Sequence, residues 1–250
     1  MVPFATAKMV IDALVADVPT TVDALLHGRL VLEQPAHGHG YRFNADSVYL
    51  ARFGARVAPS VQTLADLGAG VGTVALAYHC LAKAQRIVLV ERQRAMCAIA
   101  ARNLARSRAI AHDQTLSCDV DLVLVMTPGL QADLVLSNPP YTQPSMGRRA
   151  YQGVVDGARH GDVLPFLRTG AKLLRGDDAS FAVCYPAHDI VRLLRLARDV
   201  GLHAVRLQLV HATRPRAARL ALVAFRRKAT YPGTTFDPPM IEDDANDDDR

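Results

Sequence analysis

The chain has 250 residues, half of them hydrophobic, and 29 Lys and Arg against 24 Asp and Glu give it a net charge of +5. That length suits one large domain, or one domain with a small annex, with a sizeable core. No apolar run approaches the length of a membrane span, and residues 1–26 lack a charged start and carry Asp12 and Asp17 among their apolar positions, so no secretory signal is expected there and a soluble cytoplasmic protein is.

In chain order, Met9, Ile11, Leu14 and Val15, then Val22, Leu25 and Leu26, recur at helical spacing. They predict helices over residues 1–30 with a break at Pro19. "LVLEQP" and "YRF" read as the two strands of a hairpin. "SVYLARFGARV" reads as a helix starting at Asp46, with Asn44 or Asp46 able to cap it. These elements make an N-terminal helix and hairpin segment, residues 1–60, packing on the core.

From residue 61 short apolar runs alternate with amphipathic stretches. "VQTLADLG", "RIVLVE", "QTLSCDV", "ADLVLSN" and "ASFAVCYP" read as strands, with helices between them except between "QTLSCDV" and "ADLVLSN", where none is assigned. "AVRLQLVH" and "RLALVAFRR" close the series without a helix between them. The alternation argues for an α/β fold: a mostly parallel sheet of seven strands, helices on both faces, and a C-terminal antiparallel hairpin. This domain is assigned to residues 61–228. Residues 229–250 are expected to be a disordered acidic tail, because the last ten residues hold six acids and one Arg. Without those ten, 28 basic residues face 18 acidic ones, so a polyanionic partner fits the body of the chain.

Cys80, Cys97, Cys118 and Cys184 show no C-x-x-C pair and read as small buried hydrophobes. His37 and His39 lie in a Gly-rich stretch that turn chemistry explains, and no metal is expected.

"LADLGAGVGTVAL" puts Asp66, Gly68, Gly70 and Gly72 at a strand-to-helix junction. Glycines there let a ligand approach the backbone, and the helix start offers free N–H groups. Glu91 ends the next strand, where a carboxylate can accept from both hydroxyls of a ribose. A dinucleotide fingerprint needs glycine where Thr73 stands. The D-x-G-x-G-x-G pattern suits S-adenosylmethionine, whose cationic end gains from nearby oxygens. A third acid, to accept from the cofactor's adenine amine, is expected at Asp119, with Asp121 as its rival.

The fourth strand of the series ends abruptly in Asn138-Pro139-Pro140-Tyr141. Neither proline has an N–H, so both stop the ladder and fix φ. The Asn138 side-chain oxygen and the Pro139 carbonyl are two rigid acceptors. Aimed at the two hydrogens of an exocyclic amine, they would free its lone pair toward a methyl donor, with the gain coming from orientation. Tyr141 offers a face for a flipped base.

With these motifs the chain resembles the class I S-adenosylmethionine-dependent methyltransferases, a Rossmann-like fold, and among them the amino-methylating N-P-P-Y group. "DALLHGRLVLEQPAHGHGYRFNADSVYLARF" resembles more closely the bacterial tRNA1(Val) adenine-37 N6-methyltransferases, through Gly28, Arg29, Gln34, Gly40, Tyr41, Arg42, Phe43, Asp46, Leu50 and Ala51. Ala158 to His160 fit the same family, while Tyr49 and Gly161 depart from it. The resemblance covers about residues 21–228. It implies methyl transfer from S-adenosylmethionine to the N6 amine of adenine 37 in tRNA. Asp66, Gly68, Gly70 and Glu91, with Ala69, Gly72, Arg92 and Asp119 beside them, would hold the cofactor. Asp46 would close over its methionine end. Asn138, Pro139, Pro140 and Tyr141 would hold the target adenine. Arg148 and Arg149, directly after the turn, would meet the RNA, whereas Arg192, Arg195 and Arg198 read as a solvated helix face. Glutamine methylation of release factors, guanine N2-methylation of ribosomal RNA and an inactive RNA-binding module are the rivals. A monomer is favoured over an oligomer, with no membrane partner.

Overall fold

In the computed structural model, residues 18–107, 112–140, 162–229 and 233–242 are described. The alternation beyond residue 60 emerges as expected, with one short helix, Val123–Met126, that was not expected. Strands β3 (Ser60–Leu67), β4 (Lys83–Glu91), β5 (His112–Ser117), β6 (Leu134–Ser137), β7 (Ser180–Pro186), β8 (His203–His211) and β9 (Ala218–Arg226) follow a hairpin of β1 (Thr20–Leu25) and β2 (Leu30–Pro35). The helices are α1 (Ala45–Val57), α2 (Thr73–Leu81), α3 (Arg94–Ser107), the short α4 (Val123–Met126), α5 (Leu164–Leu173) and α6 (Ile190–Asp199).

The main sheet runs β8-β9-β7-β6-β3-β4-β5, parallel from β7 to β5, with β9 antiparallel to both β7 and β8. Its side chains alternate between two cores, as strand geometry requires. Leu64, Ile87, Leu89, Leu134 and Leu136 face α1, α2 and the hairpin. Ala65, Val88, Val90, Val135 and Phe181 face α4, α5 and α6. The first helix α1 belongs to that packing, since Leu50, Ala51 and Phe53 are wholly buried.

Three expectations are corrected. Residues 20–25, read as part of a helix, form β1; residues 1–17 lie outside the described residues. Thr20, Thr21 and Val22 are β-branched and suit a strand, and Leu26, His27 and Gly28 all take positive φ, which a helix forbids and a tight hairpin turn requires. The partner of "LVLEQP" is therefore "TTVDAL", in register from Thr20–Pro35 to Leu25–Leu30, and not "YRF". The Phe43 N–H donates to the Gln34 side chain rather than into a ladder.

The sheet also has nine strands, not seven. Residues 233–242, inside the segment expected to be disordered, lie along β8 as β10 (Thr235–Phe236) and β11 (Met240–Ile241). Asp237 pairs with Arg206 at 2.8 Å and with Arg56 at 3.8 Å, and Glu242 pairs with Arg219. Of the acids that made the tail look solvated, Glu242 is an anchor, and Asp237, ahead of them in the chain, is another. No helix among the described residues is long and apolar enough to cross a membrane.

Candidate active site

The loops after β3, β4, β5 and β6 all leave the carboxyl edge of the sheet. There the chain direction switches between β4 on one side of β3 and β6 on the other, the place where open α/β sheets bind ligands. A cavity of about 660 Å³ opens between them.

Its floor is the glycine loop. The N–H groups of Gly68 and Ala69 donate to the Val90 carbonyl at 2.9 and 3.0 Å, which ties the loop to the end of β4. Gly68 has φ 75°, and a Cβ there would lie 3.1 Å from Cε1 of Phe166. At Gly70, φ is 56° and a Cβ would meet nothing within 4 Å, so this backbone faces open cavity that a ligand can approach. The Gly70 N–H donates to Glu91 Oε2 at 2.9 Å, and the Gln93 N–H donates to Oε1 at 2.7 Å. The Arg92 backbone N–H also donates to this carboxylate, whose two oxygens offer about four acceptor positions in all.

Two carboxyls share this buried ground. Asp66 is 1% exposed and its Oδ2 accepts from the Ala75 N–H at 3.2 Å. Burial pushes its pKa up to about 7, the backbone N–H opposes this, and the charge of Glu91 adds to the rise. Burial also raises Glu91, against the N–H groups that hold it.

Among the described residues three buried side-chain oxygens have no hydrogen-bond partner: Asp66 Oδ1, Thr73 Oγ1 and Asn138 Oδ1. Such atoms are rare in folded proteins, because each forfeits the hydrogen bonds it would have in water. Thr73 and Asn138 line the cavity, and Asp66 is the last residue but one of the strand beneath its floor. The Asp66 and Asn138 oxygens can accept and the Thr73 hydroxyl can accept or donate, which fits a ligand carrying ammonium, amine and hydroxyl groups.

Of the residues singled out by sequence, Gly68, Ala69, Gly70, Glu91, Arg92, Asp119, Asn138, Pro139 and Pro140 all line this one cavity. So does Asp121, so both candidates for the third acid stand at the cavity. Gly72 and Asp66 lie just behind the lining, Gly72 against Leu89. Asp46 does not line the cavity either. Its carboxylate accepts from Asn44 Nδ2 at 2.9 Å and from Arg219 at 2.7 Å, and it is its neighbours Asn44 and Ser47 that reach the cavity. Tyr141, Arg148, Arg149 and residues 158–161 lie outside the described residues. Arg192 is not merely solvated: it donates to Tyr185 Oη at 3.0 Å and pairs with Asp162 and Asp189.

Sequence reading missed Tyr41, Phe43, Thr73, Asp162 and Phe166 as cavity residues. "GYRF" was visible as a motif but carried no position relative to the glycine loop. Phe166 has no local signal, since only the return of α5 beside β3 brings it there. Among the described residues no group of three His, Cys, Asp or Glu could hold a metal ion.

Comparison with known proteins agrees with this geometry. No curated protein sequence matches the chain. Among solved structures, a predicted O-methyltransferase from Agrobacterium tumefaciens is 22% identical with a TM-score of 0.59, the match covering 78% of this chain and 86% of that one. A tRNA m1G37 methyltransferase from M. jannaschii is 13% identical with a TM-score of 0.57, over 84% of this chain and 57% of the other. A type I restriction-modification methyltransferase subunit from Streptococcus thermophilus is 15% identical with a TM-score of 0.56, over 80% and 47%. The chain thus has the Rossmann-like methyltransferase fold, and its residues 47–162, from α1 to the start of α5, match the family model of the methyltransferase small domain.

Proposed function

We propose that this chain is an S-adenosylmethionine-dependent methyltransferase acting on the exocyclic N6 amine of an adenine in RNA, adenine 37 of tRNA. The observation that carries the reading is Asn138 Oδ1, a buried acceptor without a partner, in the cavity and ahead of two prolines. An acceptor left unpaired costs about 1–3 kcal/mol, and an incoming amine removes that cost.

When bound, S-adenosylmethionine supplies an electrophilic methyl group. Glu91 would hold its ribose, and the Gly68–Gly70 backbone with Asp66 and Thr73 would hold its amino-acid end. Asp119 or Asp121 would accept from its adenine. Asn138 Oδ1 and the Pro139 carbonyl accept the two hydrogens of the target amine and turn its lone pair toward the cavity. The prolines keep both acceptors still, so orientation supplies most of the rate gain. A neutral amide oxygen does not take up the proton; it holds the N–H until the methylated nitrogen releases the proton to water. Adenine in tRNA is favoured over a glutamine amide by the segment from Asp23 to Phe53 and by the basic body of the chain.

The test is direct. The purified chain is incubated with methyl-labelled S-adenosylmethionine and total tRNA from a strain lacking its gene, and the digested RNA is analysed by mass spectrometry. Labelled N6-methyladenosine at position 37 of a single tRNA is expected, reduced about 100-fold or more by Asn138→Ala. Label in N2-methylguanosine of ribosomal RNA, or in glutamine of a release factor, overturns the substrate assignment.

A further inference from the structure

The β1–β2 hairpin ends beside the cavity without lining it, and two buried amides join it to the two walls. On one side, Asn103 of α3 is 2% exposed and fully used. Its Oδ1 accepts from the Glu33 N–H at 2.8 Å, and its Nδ2 donates to the Glu33 carbonyl at 2.8 Å and the Val71 carbonyl at 2.9 Å. Val71 lies in the glycine loop and lines the cavity. On the other side is Gln34, the next residue of β2, also 2% exposed. Its Nε2 donates to Asp23 Oδ2 at 2.8 Å, and its Oε1 accepts from the Phe43 N–H at 3.2 Å. Arg42 donates to the same Asp23 oxygen at 3.1 Å and to Thr21 Oγ1 at 2.8 Å. Phe43 then packs on Val71, Met96 and Ile99, which closes the circuit. A Cβ at Gly40 would lie 3.1 Å from Pro35 and 3.4 Å from Met96, so the chain between hairpin and aromatic segment passes close against both.

We infer that Gln34 is a positioning residue for the cofactor cavity: the hairpin brackets the glycine loop through Asn103 and the Tyr41–Asn44 wall through Gln34, and so sets the distance between them. Gln34 touches no ligand. It acts by accepting from the backbone N–H of Phe43. Removing its amide leaves the Phe43 N–H unpaired and releases the wall from β2. The inference rests on the cavity being the S-adenosylmethionine site, but not on which amine is methylated.

The test uses the full chain and calorimetric binding of S-adenosylhomocysteine, the demethylated cofactor, with thermal unfolding alongside. Gln34→Ala is expected to raise the Kd about tenfold, the equivalent of one buried hydrogen bond. In a Phe43→Ala background the same change is expected to add less than about twofold, because Gln34 acts through Phe43. Asp23→Asn with Gln34→Glu exchanges amide and carboxylate, restores an acceptor for the Phe43 N–H, and is expected to recover affinity. A Kd unchanged in Gln34→Ala, or equal losses with and without Phe43, overturns the bracket and leaves Gln34 a stabiliser of the hairpin. If Gln34→Ala does not fold, the exchanged pair decides: a folded pair with weak binding overturns the bracket. An unaltered chain that binds no S-adenosylhomocysteine overturns the cofactor reading instead.

Discussion

Replacing Asp66 by Asn should make the protein more stable at neutral pH while impairing its site. The Asp66 carboxyl is 1% exposed, keeps one oxygen unpaired and sits near Glu91. Its pKa rises from 3.8 to about 7 on folding. At about 1.4 kcal/mol for each tenfold change in proton affinity, the ionised form costs the folded state on the order of 4 kcal/mol. The sign follows from linkage. A carboxyl whose folded pKa is raised binds more protons folded than unfolded, so its contribution is intact below about pH 4 and is lost as pH rises toward 7. Asn keeps an oxygen for the Ala75 N–H and has no charge to bury. Urea unfolding of both proteins from pH 5 to pH 8 measures this, and the advantage of Asp66→Asn should grow by about 2–3 kcal/mol over that range. Parallel profiles would show that Asp66 is not the buried titrating group and would refute the reasoning. Saturating S-adenosylmethionine should narrow the difference, since its ammonium group would favour the ionised carboxylate that Asn lacks.

Other changes probe the scaffold. Gly170 lies inside α5, where a Cβ would stand 2.5 Å from the ring of buried Phe181. Gly170→Ala should lower stability by about 1–3 kcal/mol in spite of alanine's better helix propensity, seen as a fall in Tm of several degrees; a rise would refute the close packing. Arg219 links buried Asp46 to Glu242 of the returning C-terminal segment. Arg219→Ala should cost about 2–3 kcal/mol in urea unfolding, below the full cost of breaking a buried pair because the Arg219 side chain is 42% exposed. Adding Asp46→Asn should recover part of that loss, and strictly additive losses would refute the pairing.

These residues also show what was legible beforehand. The strand-to-helix alternation, the glycine loop, Glu91 and the stop at Asn138 were readable because each is a local pattern: periodicity, φ-permissive glycines, a residue type at a strand end. The hairpin was misread because "TTVDALL" satisfies helical spacing over so short a stretch, and the decision fell to the positive-φ turn at Leu26–Gly28. Residues 233–242 were misread because an acidic segment looks solvated until Arg206 and Arg219 are known to face it.

The sequence by itself determined the order of the strands from β3 to β9, the cofactor loop and the chemical character of the turn after β6, since these depend on residues close together in the chain. Only the tertiary structure decided that Asp46 turns to Arg219, that Phe43 and Phe166 wall the cavity, and that Asp66, Thr73 and Asn138 are left with unpaired oxygens at or beneath it. Those facts depend on which residues from distant segments share one buried volume, and hydrogen-bond satisfaction there is settled only when all of them are in place.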